Sequence, residues 1–349
     1  MNKIFICLLT TLIMISCRKD NIGKRGQVSV DSTDITNNFY DNTETFILPF
    51  NELVVDGEIA NPGRVDFTSL QKRSVIVKEA LLDERSGNKF TGAFRYDGYS
   101  LFDILERSVI KKANSEEYNS IIDLYVEVEN LSGEKVVFSW GEIFYPNDLH
   151  KIIIATDVAR IVPSKTNELW TLPTSSKIVA SADLITERNI SDPIKITVRS
   201  FPKSYRVTRE MSPLYSGKIK LIDKGKVVGE LVSNPDTVRN VTYNTVFYGR
   251  GKGIHSTSPF TGSMLKDILA AYYPVNEANL RSGIFCIAGA DGYRCAMSFS
   301  ELFNRNDQRE YLLIRTEPGE DGGLYRIFAA CDFFSDRAIK SVCEIQLNF

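Results

Sequence analysis

Ile284 to Phe303 reads IFCIAGADGYRCAMSFSELF, and a variant of it stands earlier in the chain. Two apolar runs flank Asp291-Gly292, a pair that accepts the positive φ of a tight hairpin. Ser298 then precedes Glu301 by three residues, the spacing of a capping box. The stretch therefore predicts strand, turn, strand and helix start. In the earlier version, Ile122 to Val128 and Lys135 to Phe138 flank a turn at Asn130 to Gly133. There Ser139 precedes Glu142 by three, and Ile143-Phe144 stands where Leu302-Phe303 stands later.

Working outward, the recurrence extends well beyond the hairpin. Gly98, Leu101, Asp103, Ile104 and Leu105 match Gly262, Leu265, Asp267, Ile268 and Leu269, each 164 residues later. Ser139, Glu142, Phe144 and Asn147-Asp148 match Ser298, Glu301, Phe303 and Asn306-Asp307 at a spacing of 159, and Ile152-Ile-Ile-Ala corresponds to Tyr311-Leu-Leu-Ile. Ala180, Asp183, Arg188 and Ile190 match Ala329, Asp332, Arg337 and Ile339 at 149. The order is kept and the spacing shrinks only at expected loops, so the chain reads as a tandem duplication. Carboxylates present in both copies are assigned to the fold, as helix caps or near helix starts. Arg188 and Arg337 are expected to pair with Asp183 and Asp332. Elsewhere Ser74 to Leu82 reads as an extended interior segment, followed by a polar loop, and Leu101 to Ile110 has helical spacing.

Composition sets further bounds. With 43% hydrophobic, 25% charged and 11% aromatic residues, the chain has enough apolar surface for a full core. The formal charge of −2 gives no basic field for nucleic acid. Only two histidines are present, His150 and His255, and no close Cys/His spacing predicts a zinc or haem site. The first residues resemble a bacterial lipoprotein signal: Lys3, the apolar run Ile4 to Ile15, then Ser16-Cys17. That resemblance implies removal of residues 1–16 and a palmitate-type lipid anchor on Cys17. Residues 17–45, rich in Asp, Asn, Ser, Thr and charge, are expected to form a flexible tether that holds the rest away from a membrane in the cell envelope.

Leu53-Val-Val-Asp-Gly57-Glu-Ile-Ala-Asn61-Pro62, a helix opener near Thr68, the Tyr99 to Leu105 segment, the strand pair with a capped helix at Ser139, and an apolar-Ala-x-Asp-x5-Arg ending together resemble the molybdopterin-binding domain of the sulfite oxidase family. The resemblance implies an α+β fold of two tandem, strand-rich mixed domains with short helices, at 46–200 and 201–349, meeting near Phe201-Pro202. In that family a cysteine thiolate from the loop after the strand matching Ser74 to Leu82 binds molybdenum. Here neither that stretch nor its counterpart Val241 to Arg250 contains a cysteine. The reading is therefore a domain pair without the metal-ligating cysteine, expected to act as a non-catalytic binding or scaffolding module. No catalytic residue, metal or cofactor is assigned. The alternative is a molybdopterin-dependent oxidoreductase that keeps the cofactor by other ligands.

Two local features carry sharper expectations. Tyr248-Gly-Arg-Gly-Lys-Gly-Ile-His255 places Arg250, Lys252 and His255 on a backbone that three glycines allow to wrap a ligand, so these three are the candidate site for a small anion such as phosphate, sulfate or an acidic sugar. The other partner class is an envelope protein. Cys286 and Cys295 are the candidate disulfide. A loop centred on Ala290-Asp291 opposes them directly, whereas a two-residue turn at Asp291-Gly292 makes them diagonal neighbours and strains the bridge; buried free thiols are the competing expectation.

Overall fold

Both recurrent hairpins fold as paired strands because each supplies two apolar runs joined by a glycine in the left-handed region. In the computed structural model, which describes residues 44–83, 85, 87–163, 165–208, 210–233, 238–317 and 322–348, Ile284–Gly289 pairs antiparallel with Arg294–Ser298. Gly292 has φ 81° and its N–H donates to Gly289 O at 3.0 Å. Leu124–Asn130 pairs with Lys135–Ser139 in the same way, with Gly133 at φ 86° donating to Asn130 O at 3.0 Å. Each hairpin thus has a three-residue loop closed by a left-handed glycine. Each leads into a five-residue helix, Trp140–Phe144 or Phe299–Phe303, and both helices begin with a complete capping box on Ser139 or Ser298. The signal peptide, Cys17 and nearly all of the tether lie outside the described residues; the end of the tether, Thr45, already opens the strand Thr45–Ile47.

The same strand order occurs in both halves. One five-stranded sheet runs Gly63–Arg64, Val54–Gly57, Pro193–Ser200, Leu124–Asn130, Lys135–Ser139. Its counterpart runs Lys226–Leu231, Ile219–Asp223, Val342–Leu347, Ile284–Gly289, Arg294–Ser298. In each, the strand nearest the hairpin is antiparallel to it and parallel to the next. The second sheet of the first half contains Lys177–Ala180, Ile152–Arg160, Gly87–Ser100 and Arg73–Asp83, with Thr45–Ile47 added beside Ile152–Arg160. The later half answers with Tyr325–Ala329, Tyr311–Arg315, Phe260–Met264 and Asn240–Tyr243. A two-stranded ribbon, Phe247–Gly249 with Gly253–Ser256, is inserted between the last two of these.

The α+β expectation is corrected by this architecture. The described residues are 44% strand and 12% helix, with four small sheets in a β-propeller-like arrangement, and this is not a sulfite-oxidase-like pair of α+β domains. The helical spacing from Leu101 onward lasts only through Leu105, where Glu106 caps the turn. The expected polar loop after Leu82 is instead taken up by the long hairpin of Arg73–Asp83 with Gly87–Ser100.

The halves also share their interior. One hydrophobic cluster includes Val126, Phe138 and Ile196 from the first half with Phe285, Met297 and Ile345 from the second. On the other face of the hairpins, Tyr125 and Val137 pack with Ile284, Cys286 and Ala296 around Phe201, which is fully buried. The residue expected to mark a boundary is thus a wedge between two hairpins, and burying a side chain of this kind contributes roughly 1.5–3 kcal/mol. The segment after it is fastened on both sides, with Tyr205 N donating to Glu117 Oε1 at 2.8 Å and Tyr205 Oη to Glu344 Oε1 at 2.9 Å.

Candidate functional site

Each capping box in this fold has a second task. Ser139 Oγ accepts from Glu142 N at 2.9 Å within its own helix and from Arg337 Nη1 of the other half at 3.3 Å. Ser298 Oγ likewise accepts from Glu301 N and from Arg188 Nη1, both at 3.1 Å. Arg188 reaches Asp183 through Nε and Nη2 at 2.8 and 2.7 Å, and Glu142 through Nη1 and Nη2 at 3.0 Å each. Arg337 makes the matching fork to Asp332 at 2.8 and 2.7 Å and reaches Glu301 at 2.8 Å. The expected pairings of Arg188 with Asp183 and Arg337 with Asp332 are therefore formed, and each guanidinium also crosses between halves. Gly141 makes room for one crossing, since a Cβ there would lie 2.4 Å from Arg337 Nη1.

The loops that follow these helices are exchanged reciprocally. Asn147 N donates to Cys331 O at 3.0 Å and Phe333 N to Tyr145 O at 2.7 Å. In the mirrored seam Asn306 N donates to Ala182 O at 2.9 Å and Leu184 N to Asn304 O at 2.7 Å. Burial works against the charge of Arg188, yet Asp183 and Glu142 overcome it and hold its pKa above the ordinary arginine value. Burial likewise raises Glu142 and Asp332 above the usual carboxylate range against the pull of their arginines.

One difference breaks the symmetry. Tyr311 Oη lies 2.7 Å from Arg337 Nη2, from which it accepts, and donates to Glu301 Oε2 at 2.8 Å. The matching residue in the first half is Ile152, which has no hydroxyl to offer; there Arg188 Nη2 donates to Glu142 Oε2 at 3.0 Å instead. Beside Ile152 lies a cleft of about 550 Å³ whose floor includes Glu142 and Arg188 and whose walls come from both halves. Its rim carries Lys151 and Asp148 from the first half and Arg305, Asn306, Asp307 and Arg309 from the second. Arg305 forks onto Asp307, and Arg309 lies 3.4 Å from Asp148. Its volume and converging polar groups are those of a small-molecule site.

The residues singled out from sequence are placed elsewhere. Arg250 sits in the turn of the two-stranded ribbon, where Nη2 pairs with Asp336 at 3.0 Å and the guanidinium lies 5.6 Å from the centre of the Tyr145 ring. It borders a smaller cleft of about 320 Å³ lined by Trp140, Phe144 and Phe334, to which Lys252 and His255 do not contribute. The His255 ring packs against Phe247 at 5.5 Å, and Lys252 is exposed. The glycines therefore build a tight ribbon turn, and the three side chains are not gathered around one cavity.

Cys286 and Cys295 are free and buried, which corrects the candidate disulfide. Cys286 opposes Ala296 and Cys295 opposes Ile287, so the two point to opposite faces of the sheet. A shift of one residue inverts side-chain direction, and the three-residue loop supplies that shift. The thiolate-held molybdenum cofactor does not fit the residues present. The strand Arg73–Asp83 and its counterpart Asn240–Tyr243 carry no cysteine. Cys331, which does border the large cleft, donates to Tyr311 Oη at 3.5 Å, and burial pushes its thiol up to about 12. Among the described residues no group of three or more His, Cys, Asp or Glu side chains is arranged to hold a metal ion, and no helix is long and apolar enough to cross a membrane.

Sequence reasoning missed the inter-half cleft. Its one signal was the mismatch of Ile152 with Tyr311 inside otherwise similar strands. No protein-family model matches this chain, and no curated protein matches it.

Proposed function

We propose that the chain is a cell-envelope lipoprotein, tethered through a lipid on Cys17, that works without catalysis as a binding module and takes a small polar ligand in the cleft between its halves. The observation that carries this reading is the Ile152/Tyr311 difference. A position that a phenol fills in one half is held in the other by the smaller Ile152, which borders the cleft beside charged groups already ordered by ion pairs. Such preorganisation lowers the entropy lost on binding. The buried acids Glu142 and Asp183 are each held by Arg188, which leaves no free base among them for a reaction.

The test is Ile152→Tyr, which copies the filled half into the open one. A panel of small polar compounds is titrated by calorimetry into the parent and the variant, with circular dichroism to verify folding. Ligands of the parent should lose binding in the variant; retained binding would place the ligand elsewhere. For the anchor, Cys17→Ala should release the protein from the membrane fraction, and an unchanged fraction would remove Cys17 from the reading.

A further inference from the structure

The strand Arg73–Asp83 ends its sheet, pairing only with Gly87–Ser100 among the described strands. Ser74, Val75 and Ile76 all border the large cleft. Successive side chains of a strand point to opposite faces, so a cavity bordered by three residues in a row lies against the backbone edge itself.

A few residues on, the chain bonds this edge with its own loop. Thr186 N donates to Ala80 O at 2.7 Å, Ala80 N to Thr186 Oγ1 at 3.1 Å, and Leu82 N to Glu187 Oε1 at 2.8 Å. Ala80 and Leu82 therefore turn their backbone groups away from Gly87–Ser100, whereas Glu79 O accepts from Thr91 Oγ1 on that partner strand. This direction alternates along an antiparallel strand. The register shift in the pair does not upset the alternation, because the extra residue, Thr91, is on the partner strand. Lys78, Ile76 and Ser74 hence aim their N–H and C=O groups outward as well, and among the described residues no protein group bonds them. The seam is closed at Ala80 and open at Ser74 and Ile76, where it meets the cleft.

The charges of the cleft call for no ion. Its five cationic side chains, Lys151 with Arg95, Arg188, Arg305 and Arg309, are matched by five carboxylates, and the Arg337–Asp332 pair behind them adds one of each sign. Balanced charge beside a row of unbonded backbone donors and acceptors suits a partner that is uncharged and carries the complementary groups at strand spacing. Ile152, Pro146 and the half-exposed Ile76 supply apolar wall for its side chains.

We infer that the cleft takes a short, uncharged peptide segment in extended form, which adds to the edge of Arg73–Asp83 at Ser74 and Ile76. This inference rests on the cleft being the binding site, and it specifies the polar ligand by its backbone. Strand addition draws its affinity from main-chain hydrogen bonds. Three successive ligand residues serve Ser74 and Ile76, and one more on either side gives a segment of about five residues, or about 17 Å at the rise of a strand.

The probe is the capped peptide Ac-Thr-Val-Thr-Val-Thr-NH2, titrated by calorimetry beside two N-methylated forms. One is methylated at both valines and keeps an unblocked edge; the other is methylated at every residue and has none. The proteins are the parent, Ile76→Pro, Ile76→Ala and Ile152→Tyr, with circular dichroism to verify folding. Proline removes the outward N–H of residue 76 at a place where an edge strand tolerates it, while alanine keeps that donor. Expected is binding of the probe and the valine-methylated form to the parent and to Ile76→Ala, a loss of roughly tenfold or more in Ile76→Pro, and no binding of the fully methylated form or in Ile152→Tyr. A fully methylated peptide that binds as tightly as the probe, with Ile152→Tyr still blocked, would overturn the strand pairing and leave the cleft standing. Probe binding that survives Ile152→Tyr would overturn the inference by placing the peptide outside the cleft. No binding of the probe to the parent would overturn it too, and the panel of small polar compounds then judges the cleft by itself. If Ile76→Pro does not fold, the methylated peptides decide the matter on the parent alone.

Discussion

Arg337→Met is the perturbation that best tests how the two halves are joined. Arg337 is wholly buried and holds Asp332 by two hydrogen bonds, Glu301 and Tyr311 by one each, and Ser139 of the other half at 3.3 Å. Methionine restores much of the volume but leaves two carboxylates facing each other without a cation. Removing one partner of a buried pair costs about 3–5 kcal/mol, a large share of a total stability of roughly 5–15 kcal/mol. With a urea dependence near about 3 kcal/mol per molar, the midpoint should fall by about 1–2 M. The two tryptophans, Trp140 and Trp170, both lie in the first half, whereas Arg337 lies in the second. Tryptophan fluorescence therefore reports unfolding of the half that was not mutated, and far-ultraviolet circular dichroism reports both. Because one hydrophobic cluster spans the halves, both signals should move together to the same lower midpoint. If fluorescence kept the parental midpoint while dichroism gained an earlier transition, the halves would be independent and the shared-core argument would fail. A loss below about 1 kcal/mol, the size of an exposed ion pair, would refute the energetic argument.

Further outcomes are expected at three other sites. Gly141→Ala lies within a helix, where alanine ordinarily gains up to about 1 kcal/mol; here the new Cβ meets Arg337 at 2.4 Å, so thermal denaturation should show a loss, and a gain would mean that Arg337 can move aside freely. Burial tends to raise Asp103, but hydrogen bonds from Arg73 and Ser100 outweigh it and hold its pKa below 3.8. A lowered folded pKa stabilises above the unfolded value and ceases to do so as pH falls through the folded one. The urea midpoint of Asp103→Asn should therefore trail the parent most at neutral pH and converge with it in acid below about 3.8, while a constant gap would assign the loss to packing. Burial pushes Cys286 and Cys331 up to about 12 and Cys343 up to about 11. Native protein should then resist alkylation near neutral pH, and denatured, unreduced protein should expose Cys286, Cys295, Cys331 and Cys343 as free thiols to mass spectrometry; fewer would indicate a bridge.

The recurrent residues were legible in the sequence as fold residues, and their Asp–Arg pairs could be anticipated from spacing. Their reach into the opposite half was not, because a capping serine looks the same in one dimension whether or not a distant guanidinium also uses its lone pair. The capping boxes marked where helices begin but held no information on length, and each of these helices stops after five residues. The first part of Gly87–Ser100, before Tyr96, passed for a loop because its outer portion is solvated, with Gly87 to Thr91 all exposed, so apolar alternation is absent where the strand begins. The cysteine pair turned on a single residue of register, which is the quantity a two-residue and a three-residue loop assign differently.

The same register of repeats explains how a duplicated fold acquires a one-sided site. Two copies that cap, pair and exchange loops identically produce two equivalent places beside Glu142 and Glu301, and equivalence alone favours neither. In the second, Tyr311 Oη gives Arg337 an acceptor and Glu301 a donor, so the network is satisfied internally and the phenol ring occupies the volume. In the first, Ile152 fills less space, and Arg188 Nη2, whose counterpart in the second bonds the phenol, bonds Glu142 Oε2 instead. The polar floor stays ordered while the space above it opens. Removing a hydroxyl and part of a ring at one position of one copy thus separates two demands that usually compete. The halves remain fastened by residues present in both copies, and the residues that differ between them are left to shape the cleft.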